Sequence, residues 1–89
     1  MWDWDEAKRQ ANLAKHGVDF ALIAGFEWTS ADIKMDGRFD YGELRKSAHW
    51  LIDGRLFVVV YTERGDLTRI ISLRKANERE KRIWSTNAS

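Results

Sequence analysis

The 89-residue sequence contains no cysteine, no proline and no long apolar run. Without cysteine the fold has neither disulfides nor thiolate metal ligands, which suits a reducing cytosol. A helix that crosses a membrane needs roughly 20 consecutive apolar residues, and no stretch of the sequence approaches that length. We therefore expect a cytoplasmic protein with no membrane partner.

Low-complexity tracts, internal repeats and proline-rich linkers are also missing, so nothing in the sequence marks a boundary between domains. The hydrophobic fraction of 44% is typical of a globular protein and too high for a disordered one. A chain of this length has room for one hydrophobic core. The sequence predicts a single domain over residues 1–84 and a short polar tail over residues 85–89.

Positive and negative charges nearly balance over the whole chain, but they are unevenly distributed along it. Residues 1–43 contain five Lys or Arg and nine Asp or Glu, a net charge of −4, whereas residues 44–89 contain ten and five, a net charge of +5. Such asymmetry is typical of a protein with a basic surface for a polyanion. The alternative is that halves of the sequence are not halves of the surface.

Helical signals occupy the N-terminal part of the chain. The first helix is predicted over residues 5–16, with Asp3 or Asp5 as its N-cap and Gly17 at its end. A second, short helix is predicted after Asp19, which can cap it. Three alanines at helical spacing, Ala7, Ala11 and Ala14, are predicted to share one face of the first helix.

Strand signals follow. The segment "LIDGRLF" places Asp-Gly between apolar residues, which predicts a two-residue hairpin joining strands near residues 47–52 and 55–63. The turn "ERGDL" leads to another strand near residues 68–74, and a weaker strand is predicted around residues 31–35. Residues 56–61 are apolar at every position, which indicates a central strand covered on both faces.

The last predicted element is a basic helix that begins after Arg74. At 100° per residue, Ala76, Ile83 and Trp84 form one apolar stripe, and Glu80 lies within it. The order of elements predicts an α+β fold with two N-terminal helices, a three- to four-stranded antiparallel sheet and a C-terminal helix.

Several short motifs appear in a characteristic order. They are "WD" at Trp4-Asp5, Asn12, "KHGVDF" at Lys15–Phe20, "YGELR" at Tyr41–Arg45, Gly54, "TERG" at Thr62–Gly65, "RIISLRKA" at Arg69–Ala76, and Glu80. Together they resemble the BrnT toxins, the ribonuclease halves of BrnT–BrnA type II toxin–antitoxin pairs, which are similar in fold to RelE-like ribonucleases. The resemblance extends from Trp4 to Trp84. Trp84 itself departs from the family pattern, which has tyrosine there.

The resemblance implies a toxin that is a metal-independent endoribonuclease. Such an enzyme would cleave RNA by attack of the ribose 2′-OH, without a cofactor, and so inhibit translation and growth. It further implies a cognate BrnA-like antitoxin that silences the toxin in a hetero-oligomer. A metal site is not predicted, because the two histidines are far apart and no HExxH or HxxE spacing occurs.

Cleavage of this kind needs a base for the 2′-OH, an acid for the leaving 5′-oxygen and cations around the phosphate. Arginine suits the phosphate because its planar fork binds two oxygens at once and keeps its charge. The candidate catalytic residues are His16, Arg69, Arg74 and Glu80. The candidate RNA-binding residues are Lys15, Arg64, Arg69, Arg74 and Lys75.

Alternation along the strand predicts that two of these arginines point to opposite faces of the sheet. Arg69 alternates with Ile71 and Leu73, whereas Arg74 shares parity with Ile70 and Ser72, so the two face opposite sides unless the strand bulges or ends before Arg74. The alternative to a phosphate role is charge at a strand edge that discourages aggregation.

The proton-transfer candidates also have structural alternatives. A carboxylate in an apolar stripe is costly unless paired, so Glu80 either bridges the helix to an arginine of the sheet or acts as a base or an orienting group. Lys15 and His16 lie in the last turn of the first helix, where a cation interacts favourably with the helix dipole. His16 is equally suited to acid–base chemistry, whereas His49 is predicted to be a packed or surface residue.

Two other functions fit the sequence. A module that binds nucleic acid without cleaving it would use the same arginines, with Trp50 or Tyr41 available for base stacking. A protein-interaction domain would use the strand that is apolar on both faces to bind a partner. For the aromatic residues, packing in the core is the favoured interpretation.

Overall fold

A computed structural model describes residues 1–40 and 42–88 of the chain, so Tyr41 lies outside the described residues. The elements, in chain order, are β1 (Trp2–Trp4), α1 (Glu6–His16), a 3-10 helix (Phe20–Gly25), β2 (Asp32–Asp40), β3 (Glu43–Ile52), β4 (Arg55–Arg64), β5 (Leu67–Lys75) and α2 (Glu78–Ala88). The α+β class is as predicted. Helix α2 includes residues 85–88 of the segment expected to be a polar tail. None of the described helices is long and apolar enough to cross a membrane.

The sheet differs from the prediction in size and direction. It has five strands in the order β1-β5-β4-β3-β2. The pairs among β2, β3, β4 and β5 are antiparallel, but β1 runs parallel to β5, with Trp2 opposite Thr68 and Trp4 opposite Ile70. The prediction of a three- to four-stranded antiparallel sheet was therefore wrong, because three residues are too few to reveal strand alternation.

The two predicted N-terminal helices are one α-helix and one 3-10 helix, which corrects the second of them. The carboxylate of Asp5 caps α1 by accepting hydrogen bonds from the backbone N–H groups of Ala7 and Lys8. Gly17, with φ of 69°, ends the helix in the left-handed conformation that glycine tolerates. Asp19 caps the 3-10 helix through the N–H of Ala21.

The face of α1 that carries the three alanines is not its buried face. Ala7, Ala11 and Ala14 are exposed, whereas Asn12 is buried. The Asn12 amide donates to the carbonyl oxygen of Leu73 at 2.8 Å and accepts from its N–H at 3.2 Å. Strand β1 pairs with β5 only as far as Ile70. Beyond that residue, the Asn12 side chain provides the hydrogen-bond partners for the backbone of Leu73 at the edge of β5. Hydrogen bonds to the backbone of β5, rather than burial of apolar side chains, therefore hold α1 against the sheet.

The hairpin and the two-sided strand match the prediction. Asp53 and Gly54 have φ of 50° and 77°, as a two-residue turn between β3 and β4 requires. One face of β4 joins the main core with three residues, Phe57, Val59 and Tyr61. On the opposite face, Leu56 and Val58 pack with Trp84 of α2.

A bulge in β5 resolves the parity conflict between the two arginines. Val60 lies opposite Ser72 but Tyr61 lies opposite Ile70, so Ile71 is an extra residue in β5. As a result Arg69 pairs with Thr62 and Arg74 with Val58. Val58 and Thr62 share a face of β4, so both arginines lie on the face that α2 partly covers. Bulges often re-aim side chains beside active sites.

Candidate active site

A cavity of about 470 Å³ opens between α1 and the face of the sheet that α2 partly covers. Its lining residues are Lys8, Ala11, Asn12, Lys15, His16, Arg38, Arg45, Val60, Ile71, Ser72 and Arg74. Among these described lining residues are five Lys or Arg and one histidine, and none is Asp or Glu. An excess of positive charge among the lining residues suits a polyanion such as a phosphodiester backbone.

His16 supplies a titratable group at this cavity. It occupies the last turn of α1 and is partly buried. Its pKa lies below the ordinary 6.5, first because burial disfavours the imidazolium and then because Lys15 and Arg74 repel positive charge. Near neutral pH the ring is therefore mostly neutral, with a nitrogen available to accept a proton.

Arg74 is held in place by Glu80. Its guanidinium donates two hydrogen bonds, of 2.7 and 2.8 Å, to the two carboxylate oxygens. The same carboxylate accepts from the backbone N–H of Asn77, whose own side chain accepts from the N–H of Glu80. This reciprocal pair is a capping box at the start of α2. Glu80 thus joins the helix to the sheet, as the salt-bridge interpretation of its sequence position predicts.

The electrostatics of Glu80 disfavour a role as base. Hydrogen bonding from Arg74, followed by the backbone N–H of Asn77 and by nearby charge, lowers its pKa to about 2 against the cost of burial. A carboxylate with so low a pKa is a weak proton acceptor at neutral pH. The geometry favours Glu80 as the group that orients Arg74.

His49 is a further titratable residue close to Glu80. Its Nε2 is 4.0 Å from a Glu80 oxygen, and its register position opposite Val58 places it in one row with Arg74 across β3, β4 and β5. Burial lowers its pKa, while Glu80 acts in the opposite direction. His49 is mostly buried rather than on the surface, and its Nδ1 has no hydrogen-bond partner among the described residues.

The other predicted cations lie outside the cavity lining. Arg69 shares the face of Arg74, but its guanidinium is paired with Asp3 at 3.2 Å. Arg64 is paired with Glu43, with a shortest contact of 2.6 Å. Lys75 is exposed at the end of β5. The structure therefore brings together Lys15, His16 and Arg74, with Glu80 behind Arg74.

Sequence reasoning missed three cations of the cavity, namely Lys8, Arg38 and Arg45. Arg45 could have been found: the Asp53-Gly54 turn sets the register that puts Ser47 opposite Val60, and Arg45 shares that face by alternation. Arg38 gave no such signal because the β2–β3 register is irregular between Met35 and Phe39. Within residues 1–40 and 42–88, no group of three or more acidic or histidine side chains could hold a metal ion.

Comparison with known proteins adds two similarities. Residues 4–80 match the family model described as the ribonuclease toxin, BrnT, of type II toxin–antitoxin systems. The fold is similar to the 1.1 Å crystal structure of the Brucella abortus ribonuclease toxin BrnT, with a TM-score of 0.67 and 32% sequence identity, over 88% of this chain and 99% of that chain. A comparison with curated proteins found no match.

Proposed function

The chain belongs to the BrnT family of ribonuclease toxins of type II toxin–antitoxin systems, and from this membership we propose that it is a metal-independent endoribonuclease that acts on cytoplasmic RNA and inhibits translation and growth. The observation that carries the proposal is the cavity beside α1, whose described lining residues include five Lys or Arg and His16. Such a site can hold a phosphodiester and remove a proton beside it.

The proposed reaction begins at the ribose 2′-OH. His16, neutral because its pKa is lowered, takes the 2′ proton while the 2′-oxygen forms a bond to phosphorus. The bond from phosphorus to the 5′-oxygen breaks, and that oxygen takes a proton from solvent. The first product carries a 2′,3′-cyclic phosphate, which water can open to a 3′-phosphate.

Arg74 and Lys15 stabilise the negative charge that develops on the phosphate oxygens. A guanidinium can bind two such oxygens at once, provided that its plane is fixed. The two hydrogen bonds to Glu80 fix that plane. Glu80 is thus a positioning residue in this proposal, acting through Arg74 rather than on the substrate.

Arg69, Arg64 and Lys75 are proposed to contact the RNA backbone outside the cavity. Arg69 lies on the same face as Arg74 because of the β5 bulge. It is one-third exposed and paired with Asp3, which is also partly exposed, so a phosphate can compete for its guanidinium. These contacts would add affinity rather than rate.

Membership of a type II system implies an antitoxin partner. We propose that this partner is BrnA-like and forms a hetero-oligomer with the toxin. An acidic segment of the antitoxin would suit the basic cavity by charge complementarity and would exclude RNA from it.

The test is cleavage of a short end-labelled RNA by the purified chain and two variants. Arg74→Ala should remove activity while the protein stays folded. Arg82→Ala, which changes an exposed arginine of α2, serves as the matched control and should cleave at the wild-type rate. Salt-dependent RNA binding without any cleavage by the wild-type chain would instead favour a non-catalytic nucleic-acid-binding module.

A further inference from the structure

A second cavity, of about 180 Å³, lies between β2, β3 and α2. Its lining residues are Asp32, Lys34, His49, Glu80, Ile83 and Trp84. Glu80 lines this cavity and Arg74 lines the first one, and the two side chains are joined by hydrogen bonds of 2.7 and 2.8 Å. The linings of the two cavities are therefore in direct contact through this ion pair, so a ligand whose phosphate contacts Arg74 can place its adjoining group in the second cavity.

The walls of the second cavity suit a flat, aromatic group. Trp84 is partly buried and its ring is braced by Trp50, with the centroids 5.7 Å apart at an angle of 73°. Ile83, the preceding residue of α2, adds an aliphatic surface that is 44% exposed. An aromatic ring next to an aliphatic side chain is a platform on which an unstacked nucleobase can pack.

The rim of this cavity carries a carboxylate beside an ammonium group. Asp32 and Lys34 are two residues apart on β2 and so share a face, with Nζ and Oδ2 4.0 Å apart. Both side chains are about half exposed, at 50% and 55%. Their mutual pairing is loose and leaves hydrogen-bonding capacity for a ligand.

Guanine matches this arrangement best among the four RNA bases. Its Watson–Crick edge presents two neighbouring N–H donors, on N1 and N2, next to the O6 acceptor. A carboxylate can accept both donors in parallel, while an ammonium group donates to O6. Adenine, cytosine and uracil each place an acceptor beside their donor on that edge, so none offers the carboxylate two adjacent N–H groups.

We propose that the cavity between β2, β3 and α2 is a guanine-binding subsite for the nucleotide next to the scissile phosphate. Trp84 and Ile83 hold the ring, Asp32 accepts from N1–H and N2–H, and Lys34 donates to O6. The proposal rests on the ribonuclease function above, and it makes the chain a nuclease that prefers guanine beside the cleaved bond.

The experiment measures base preference in wild-type protein and in Asp32→Asn. RNAs with one cleavable ribose carry each of the four bases, or inosine, beside that ribose, and single-turnover rates are compared. The wild-type chain should prefer guanine by roughly 10- to 100-fold, the usual effect of a bidentate base contact. Inosine, which lacks the N2 amino group, should fall between. Asp32→Asn should lose most of the preference, with its rate on the guanine substrate falling toward its rates on the other three.

A matched control and a binding assay separate the possible failures. Asp66→Asn changes an exposed aspartate outside this cavity's lining and should keep the preference. Wild-type cleavage without base preference, or an Asp32→Asn protein that still prefers guanine, would overturn the subsite and leave the nuclease function standing. If no RNA is cleaved, the affinities of the protein for guanosine 3′-monophosphate and adenosine 3′-monophosphate are compared, with tryptophan fluorescence as the readout. This comparison decides whether the subsite exists. Tighter guanosine binding that needs Asp32 supports the subsite alone, and equal binding overturns it.

Discussion

Arg74 and Glu80 join the end of β5 to the start of α2 through two parallel hydrogen bonds of 2.7 and 2.8 Å. The arginine lines the basic cavity and the glutamate lines the neighbouring one. This ion pair thus fixes the cation proposed to hold the phosphate and joins a lining residue of one cavity to a lining residue of the other. Asn77 also holds Glu80 in place, through reciprocal hydrogen bonds at the start of α2.

Glu80→Gln should weaken both the fold and the orientation of Arg74. Removing the charge leaves a partly buried guanidinium without its anion, which should lower the free energy of unfolding by roughly 1–3 kcal/mol. Because the pKa of Glu80 is lowered from 4.5 to about 2, its contribution is present above pH 4.5 and is lost as the pH falls toward 2. Chemical denaturation at several pH values should show this loss in the wild type and a smaller one in the variant.

The same variant separates a positioning role from a catalytic base. Misorientation of Arg74 should reduce the single-turnover rate by about 10- to 100-fold, without altering the shape of the pH–rate profile. Loss of the pH-dependent limb in Glu80→Gln would show that Glu80 itself transfers the proton. A variant with wild-type stability and wild-type rate would remove both roles.

His16→Gln should remove the pH dependence of cleavage. In the wild type the rate should rise as His16 loses its proton, with a midpoint below pH 6.5 because burial and nearby cations lower its pKa. The variant should be slower by roughly 100- to 10,000-fold at neutral pH, the usual contribution of a general base. Rate measurements from pH 4 to pH 8, about two units either side of an ordinary histidine pKa, check this. An unchanged profile would exclude His16 as the base.

Arg69→Ala and Arg74→Ala should differ in kind. Arg74 lines the cavity, so Arg74→Ala should abolish cleavage, and Arg74→Lys should restore it only in part because an ammonium group lacks the planar fork. Arg69→Ala should mainly weaken RNA binding and lower the salt dependence of affinity by about one phosphate contact. Equal loss of rate in both alanine variants would place Arg69 in the catalytic machinery as well.

Asn12→Ala should destabilise the fold, although it removes little apolar surface. The Asn12 amide satisfies the N–H and C=O of Leu73 and the carbonyl oxygen of Val18, and all three would lose this buried partner. We expect the free energy of unfolding to fall by roughly 2–4 kcal/mol, more than for most single substitutions. Ala14→Ser, on the exposed face of α1, is the control. Equal stability of the two variants would contradict the edge-covering role.

Local features of the fold were predictable from sequence because short-range chemistry determines them. Asp5 and Gly17 mark the two ends of α1, and the Asp53-Gly54 turn sets the register of the central hairpin. Strand β1 was not predictable, because its partner β5 lies at the other end of the chain. The buried face of α1 was missed because an asparagine that caps a strand edge leaves no apolar pattern.

The residues of the candidate site were predictable from sequence only where a single helix or strand carries the signal. Lys15 and His16 adjoin a helix end, and Glu80 stands out in an apolar stripe, so single elements revealed them. The common face of Arg69 and Arg74 depends on a one-residue bulge, which alternation alone cannot locate. Arg38 joins the site through a strand whose pairing register shifts.

The most direct test of the proposed chemistry is the structure of the RNA ends after cleavage in excess EDTA. Attack by the 2′-OH with His16 as base predicts undiminished cleavage and products that carry a 2′,3′-cyclic phosphate or a 3′-phosphate, with a 5′-hydroxyl on the other fragment. Mass spectrometry of the fragments distinguishes these ends. Cleavage that stops on chelation and returns with magnesium, or that leaves 5′-phosphates, would contradict the mechanism.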